Sequence, residues 1–162
     1  MNLRAHTTSA DGTRAVAAAV AELAEPGDVI VLAGELGAGK TAFAQGFGAG
    51  LGITDAITSP TFTLARHYEG RLALHHLDVY RIERISELAD LGVSELLDSG
   101  GVLLVEWGDA IASALGNEYL EVRLTYGDGD DDRHLALRCV GGRWSARSRS
   151  LLDGLKEWAV DA

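Results

Sequence analysis

The chain has 162 residues, enough for one domain with its own hydrophobic core but too few for two comfortable ones. Acidic residues outnumber basic ones by 24 to 14, and the net charge of −10 argues against a protein that grips nucleic acid by itself. The chain has no apolar run of about 18 residues, as a membrane-spanning helix needs, and residues 1–12 lack the apolar centre of a signal peptide. With a single cysteine excluding an internal disulfide, we expect one cytoplasmic domain spanning residues 1–162.

The first predicted elements are a helix and a buried strand. Alanine-rich residues 13–25 have apolar positions at helical spacing, and Asp11 is a candidate cap for this helix. A proline, a glycine and an aspartate at 26–28 then end the helix. The apolar run at 29–33 predicts a strand that leads directly into the next segment.

Residues 34–41 read GELGAGKT, a complete G-x-x-x-x-G-K-[ST] phosphate-binding loop. The helix-like segment 42–51 follows, so the motif has the strand–loop–helix context that it needs. Glycines allow backbone N–H groups to point at phosphate oxygens, and the helix N-terminus adds a partial positive charge. Lys40 would reach the β- and γ-phosphates, while the Thr41 hydroxyl would bind Mg²⁺. The alternative is a glycine-rich turn that binds nothing.

Further strands and helices alternate along the rest of the chain. We predict strands at 62–68, 72–79, 102–105, 119–126 and 133–140, the first two as a hairpin. We predict helical segments at 86–97, 110–115 and 149–159. This pattern predicts an α/β P-loop NTPase fold with a mainly parallel central sheet, antiparallel hairpins and flanking helices.

Two of the apolar strands end in acids, Asp78 and Glu106. Ligands of an open parallel sheet bind beyond the carboxyl ends of its strands, so both acids are well placed for a nucleotide site. Glu106 is the predicted metal-side carboxylate, and Asp78 would orient or deprotonate water or support the Mg²⁺ shell. The alternative for either acid is a helix N-cap or an ion pair with Arg81.

Three other groups of polar residues carry weaker functional signals. Hydroxyls at 59–63 lie where a γ-phosphate-sensing segment would lie, but an ordinary Ser/Thr turn would look the same. His75 and His76 point to opposite faces of a regular strand, and we expect buried, hydrogen-bonded core histidines there. Solvated side chains, rather than a nucleic-acid-binding patch, are the expected state of Arg143, Arg147 and Arg149.

Four blocks occur in a fixed order: GELGAGKT, SPTFTL at 59–64, HLDVYR at 76–81 and VEW at 105–107. Together they resemble the TsaE (YjeE) family, bacterial P-loop ATPases of tRNA threonylcarbamoyladenosine synthesis. The resemblance implies that the following residues bind ATP phosphates: Leu36, Gly37, Ala38, Gly39, Lys40 and Thr41. It also implies that Thr41 and Glu106 hold Mg²⁺ and that Asp78 is the catalytic-site aspartate, so that the implied catalytic residues are Lys40, Asp78 and Glu106. Near the nucleotide it places Thr61 in a switch-like segment, Trp107 beside the nucleotide, and Arg133 and residues 10–13 near the base.

The implied activity is an accessory Mg²⁺-dependent ATPase that does not itself transfer the threonylcarbamoyl group. It would act with the TsaD–TsaB complex on adenosine 37 of ANN-decoding tRNAs, and the acidic charge fits a chain that leaves the tRNA to these partners. A small-molecule or nucleoside P-loop kinase stays open, although no arginine-rich lid is evident. A nucleotide-dependent binding module with incidental hydrolysis stays open too. A GTPase is disfavoured because neither Lys40 nor Lys156 lies in a guanine-reading N/T-K-x-D motif.

Overall fold

A computed structural model describes residues 2–35, 37–58, 65–78, 92–106 and 116–160. The described strands are β1 (Asn2–Thr7), β2 (Val29–Gly34), β3 (Ala65–Tyr68), β4 (Leu74–Asp78), β5 (Val102–Glu106), β6 (Tyr119–Tyr126) and β7 (Arg133–Val140). The described helices are α1 (Ala10–Glu22), α2 (Lys40–Gly50), α3 (Val93–Asp98), α4 (Gly142–Ser145) and α5 (Ser148–Leu155). None of these helices is long and apolar enough to cross a membrane.

The strands form one sheet in the order β1-β7-β6-β2-β5-β4-β3. Its central strands β6, β2, β5 and β4 are parallel neighbours. Antiparallel pairs flank them: β6 with β7, β7 with β1, and β3 with β4. The predicted fold class, a mainly parallel sheet with antiparallel hairpins and flanking helices, is therefore confirmed. The predicted bounds of β6 and β7 are also those that the structure has.

The middle of the sheet is apolar on both faces, as expected for parallel strands covered on two sides. Ile30 and Leu32 of β2 pack into the larger core beneath α1 and α2, whereas Val29 and Val31 face a smaller cluster on the opposite side. The helices α1 and α2 approach closely at Gly46. A Cβ there would lie 2.1 Å from the Arg14 carbonyl oxygen, so only glycine allows this backbone contact.

A buried carboxylate anchors the start of β2, at the opposite end of the strand from the glycine-rich loop. Asp28 is fully buried and accepts hydrogen bonds from Arg143 and Arg147 at 2.7–2.8 Å. The Arg147 guanidinium also lies over the Trp144 ring, 4.0 Å from its centroid. The prediction of a solvated side chain is therefore wrong for Arg147, whose side chain is 11% exposed, while Arg143 is half-buried and Arg149 is exposed as expected.

The start of the first helix differs from the prediction. Ser9, rather than Asp11, caps α1, because its Oγ accepts the Gly12 N–H at 3.0 Å. Asp11 lies in the first turn and binds Arg14 instead. In α5, Leu151 and Leu155 are buried, whereas Leu152 is 44% exposed. The predicted helical residues 86–91 and 110–115 lie outside the described part of the chain.

Candidate nucleotide-binding site

The glycine-rich motif forms the turn between β2, which ends at Gly34, and α2, which begins at Lys40. Gly37 and Gly39 have φ of +82° and +107°, in the left-handed region that favours glycine. At Gly37 a Cβ would also lie 2.8 Å from the Tyr126 hydroxyl oxygen. The backbone shape therefore favours glycine at both positions, and a side chain at position 37 would also displace the Tyr126 hydroxyl.

The N-terminus of α2 faces the turn. Its N-cap, Gly39, has no side chain with which to cap the first N–H groups. Such a helix end is suited to binding an anion, because it has donors and a partial positive charge. Thr41 lies in the first turn of α2 and is exposed, so its hydroxyl is accessible to a ligand there.

Lys40 lies at the base of the turn and is 5% exposed. Its ammonium group donates hydrogen bonds to the carbonyl oxygens of Gly34 and Glu35, both at 2.8 Å. These bonds hold a positive charge directly beside the glycine-rich backbone. A phosphate group bound in the turn would gain a charge-assisted hydrogen bond from this lysine.

The two predicted acids are neighbours at the same edge of the sheet. Asp78 ends β4 and Glu106 ends β5, and the two are paired in the β4–β5 register. Glu106 is in turn paired with Leu32 of β2, the strand that enters the glycine-rich turn. Because side chains alternate along a strand, Glu106 lies on the same face as Leu104, which packs beneath α1 and α2. The fold thus places Glu106 beside the strand that carries the loop, and Asp78 one strand further along.

A buried histidine contacts the second acid. His76 is fully buried, and its Nε2 lies 2.8 Å from the Oε2 of Glu106, which is only 3% exposed. An ionised carboxylate can only accept, so Nε2–H is the donor. The prediction that His76 is buried is confirmed, but this contact was not anticipated. The sequence did contain a signal for this contact. His76 and Asp78 lie on the same face of one strand, and Glu106 ends the other strand that terminates in an acid.

The β6–β7 hairpin reaches the glycine-rich turn from the other side. The Arg133 guanidinium donates to the Ala38 carbonyl at 3.2 Å, and it lies 4.7 Å from the centroid of the Tyr126 ring. Thr13 of α1 is also close, since a Cβ on Gly39 would lie 3.9 Å from its methyl group. Arg133 and residue 13 therefore flank the turn, together with Tyr126, which is not among the predicted site residues.

The donor set fits Mg²⁺. Glu106 and Thr41 would supply hard oxygen atoms, the type of ligand that Mg²⁺ prefers. Within the described ranges, no three His, Cys, Asp or Glu side chains converge to form a protein-only metal cage. Mg²⁺ usually binds through one or two carboxylates together with substrate phosphates, so a small protein contribution is expected.

Three other predicted site residues, Leu36, Thr61 and Trp107, lie outside the described residues.

Comparison with known proteins gives consistent matches. A family model for the threonylcarbamoyl adenosine biosynthesis protein TsaE matches residues 7–135. The tRNA threonylcarbamoyladenosine biosynthesis protein TsaE of Bacillus subtilis is 46% identical over 143 residues, which cover 88% of this chain and 89% of the relative. The protein of the same name from Streptomyces coelicolor is 38% identical over 142 residues, covering 83% and 95%. The crystal structure of Bacillus subtilis YdiB matches with a TM-score of 0.81 at 38% identity, covering 94% of this chain and 95% of that one.

Proposed function

Because the chain belongs to the TsaE family of threonylcarbamoyl adenosine biosynthesis proteins, we propose that it is a Mg²⁺-dependent ATPase supporting this tRNA modification. The observation behind the ATPase proposal is one juxtaposition. Lys40 is buried at the base of a glycine-rich turn, Glu106 ends the strand next to the one that enters that turn, and Asp78 ends the following strand of the sheet. These are the groups that ATP hydrolysis needs: a phosphate cradle, a metal-side carboxylate and a group that orients water.

Each group has a distinct role in this proposal. Lys40 and the backbone of the turn bind the phosphates, and Thr41 and Glu106 hold Mg²⁺. When bound, Mg²⁺ would neutralise charge that develops on the transferred phosphoryl group. Asp78 orients the attacking water. Arg133 lies beside the turn and contributes to the nucleotide pocket.

The wider role is a proposal that follows from family membership. The chain would act in the cytoplasm with the TsaD–TsaB complex, and its ATP turnover would support modification of adenosine 37 in ANN-decoding tRNAs. It would not itself transfer the threonylcarbamoyl group. A net charge of −10 favours docking on protein partners that present the tRNA over direct binding to its phosphates.

The test is replacement of Lys40 by alanine, with Lys156→Ala as a matched control because Lys156 is exposed and is the only other lysine. A hydrogen bond to a charged group contributes about 1.5–3 kcal/mol, so Lys40→Ala should weaken ATP binding about 10- to 100-fold. Phosphate release should fall severely, while circular dichroism should show an unchanged fold. Lys156→Ala should bind and hydrolyse ATP like the wild type.

Near wild-type hydrolysis by Lys40→Ala would refute the site assignment. Adding candidate small-molecule or nucleoside acceptors separates the kinase alternative. If ATP were consumed with phosphate appearing on the acceptor and not free in solution, the chain would be a kinase.

A further inference from the structure

His76 is a polar residue at a position where the fold favours an apolar one. It lies in β4, a central strand, and is fully buried. One ring nitrogen, Nε2, contacts Glu106, whereas the other, Nδ1, is buried and has no hydrogen-bond partner among the residues that the structure describes. Leaving a buried polar atom unpaired destabilises the folded state. Packing alone therefore does not explain a histidine here, since Leu74, the next position on the same face of β4, is an apolar core residue.

What His76 supplies is its hydrogen bond to Glu106. In the β4–β5 register His76 lies opposite Leu104, so its ring reaches diagonally toward the end of β5. There Nε2–H donates to one carboxylate oxygen at 2.8 Å. A buried ring has few rotamers available, so this bond restricts how the Glu106 carboxylate can turn. Mutating a residue that holds a metal ligand in this way typically lowers metal affinity or activity by about 10- to 100-fold.

We propose that His76 is a positioning residue that sets the orientation of the Glu106 carboxylate toward Mg²⁺. The inference rests on the proposed function in one respect, the assignment of Glu106 to the metal. His76 does not touch the nucleotide in this account. It acts through Glu106, and its loss weakens the contribution of the metal to nucleotide binding while the phosphate-binding turn stays intact.

The experiment measures binding of a fluorescent ATP analogue in Mg²⁺ and again in EDTA. The dissociation constant in EDTA divided by that in Mg²⁺ reports the contribution of the metal to binding. This ratio requires no catalytic turnover. Glu106→Ala sets the ratio expected when the carboxylate is lost. His76→Leu removes the donor while keeping an apolar side chain, and His76→Gln keeps an N–H that can reach Glu106. His75→Leu is the matched control, since His75 is buried on the opposite face of the same strand.

The ratio in His76→Leu should fall about 10-fold or more, toward that of Glu106→Ala, with the dissociation constant in EDTA unchanged. His76→Gln should keep most of the wild-type ratio, and His75→Leu all of it. A purely structural role would instead lower the urea midpoint of His76→Leu and leave the ratio unchanged.

Two results separate failure of this inference from failure of the site. If Glu106→Ala lowers the ratio and His76→Leu does not, the positioning role is wrong and the metal assignment stands. If Glu106→Ala keeps the wild-type ratio, the metal assignment is wrong and the inference falls with it. Should His76→Leu not fold, His76→Asn replaces it, because the amide of Asn is too short to reach Glu106. Equal ratios for the Asn and Gln variants would then overturn the proposal.

Discussion

Replacing Asp28 by asparagine should destabilise the whole fold, although Asp28 lies at the opposite end of β2 from the proposed nucleotide site. The Asp28 carboxylate is 0% exposed and accepts three hydrogen bonds from Arg143 and Arg147, together with one from the Glu25 N–H at 2.7 Å. Asparagine keeps the shape but removes the negative charge. It leaves two guanidinium groups, with side chains 35% and 11% exposed, facing a neutral amide.

The size of the effect follows from this burial. Breaking a buried ion pair by removing one partner costs about 3–5 kcal/mol. Because Arg143 keeps access to water, we expect the lower end of that range, about 3 kcal/mol. Domains are stable by about 5–15 kcal/mol in total, so this loss is a large fraction. For a chain of this size it corresponds to a fall in Tm of about 6–12 °C.

Urea unfolding followed by circular dichroism measures this change as a lower midpoint at an unchanged slope. The matched control is Asp55→Asn, since Asp55 is an exposed acid and should change stability by no more than about 0.5 kcal/mol. If Asp28→Asn lost less than about 1 kcal/mol, the cluster would not anchor β2, and the argument from its burial would be wrong.

Two further predictions concern packing and pH. Gly46→Ala should destabilise the chain by about 1–3 kcal/mol in urea, because the new Cβ meets the Arg14 backbone. Gly154→Ala, with no atom within 4 Å of its Cβ, should be neutral or stabilising, and equal stability of both variants would contradict the packing argument. Burial, and then the neighbouring His67, lower the pKa of His75 below 6.5 in the folded chain. As pH falls, the unfolded chain therefore protonates this histidine before the folded chain does. Stability should thus fall as pH drops below 6.5, and His75→Gln should reduce this dependence. If His75→Gln had the same pH dependence of stability as the wild type, His75 would not be the group responsible for it.

Local patterns were sufficient for most of the fold. The glycine-rich loop was predicted because its spacing is fixed by what a phosphate-binding backbone must do. The strands β6 and β7 were predicted with their observed bounds because alternating apolar residues and flanking turn residues are signals within one segment. The cap of α1 was misassigned because Ser9 and Asp11 are both good capping residues only two positions apart.

Contacts between distant segments were not predictable in the same way. Asp28 and Arg147 are separated by 119 positions, and only the folded chain shows that Arg147 is bound by a buried acid. Arg133 reaches the Ala38 carbonyl across 95 positions. For His76, residue type predicted burial, but its partner depends on which strand lies next to β4. Sequence periodicity gives the face of a strand and not the identity of its neighbour.

The most direct test of the proposed role is threonylcarbamoyladenosine formation by TsaD and TsaB, reconstituted with their other substrates and with this chain in wild-type or Glu106→Ala form. The wild type should support repeated modification of adenosine 37 with ATP hydrolysed, and Glu106→Ala should lose both. If Glu106→Ala abolished hydrolysis but supported complex formation and repeated tRNA modification as well as the wild type, the chain would be a nucleotide-dependent binding module. Its ATPase activity would then not be its function.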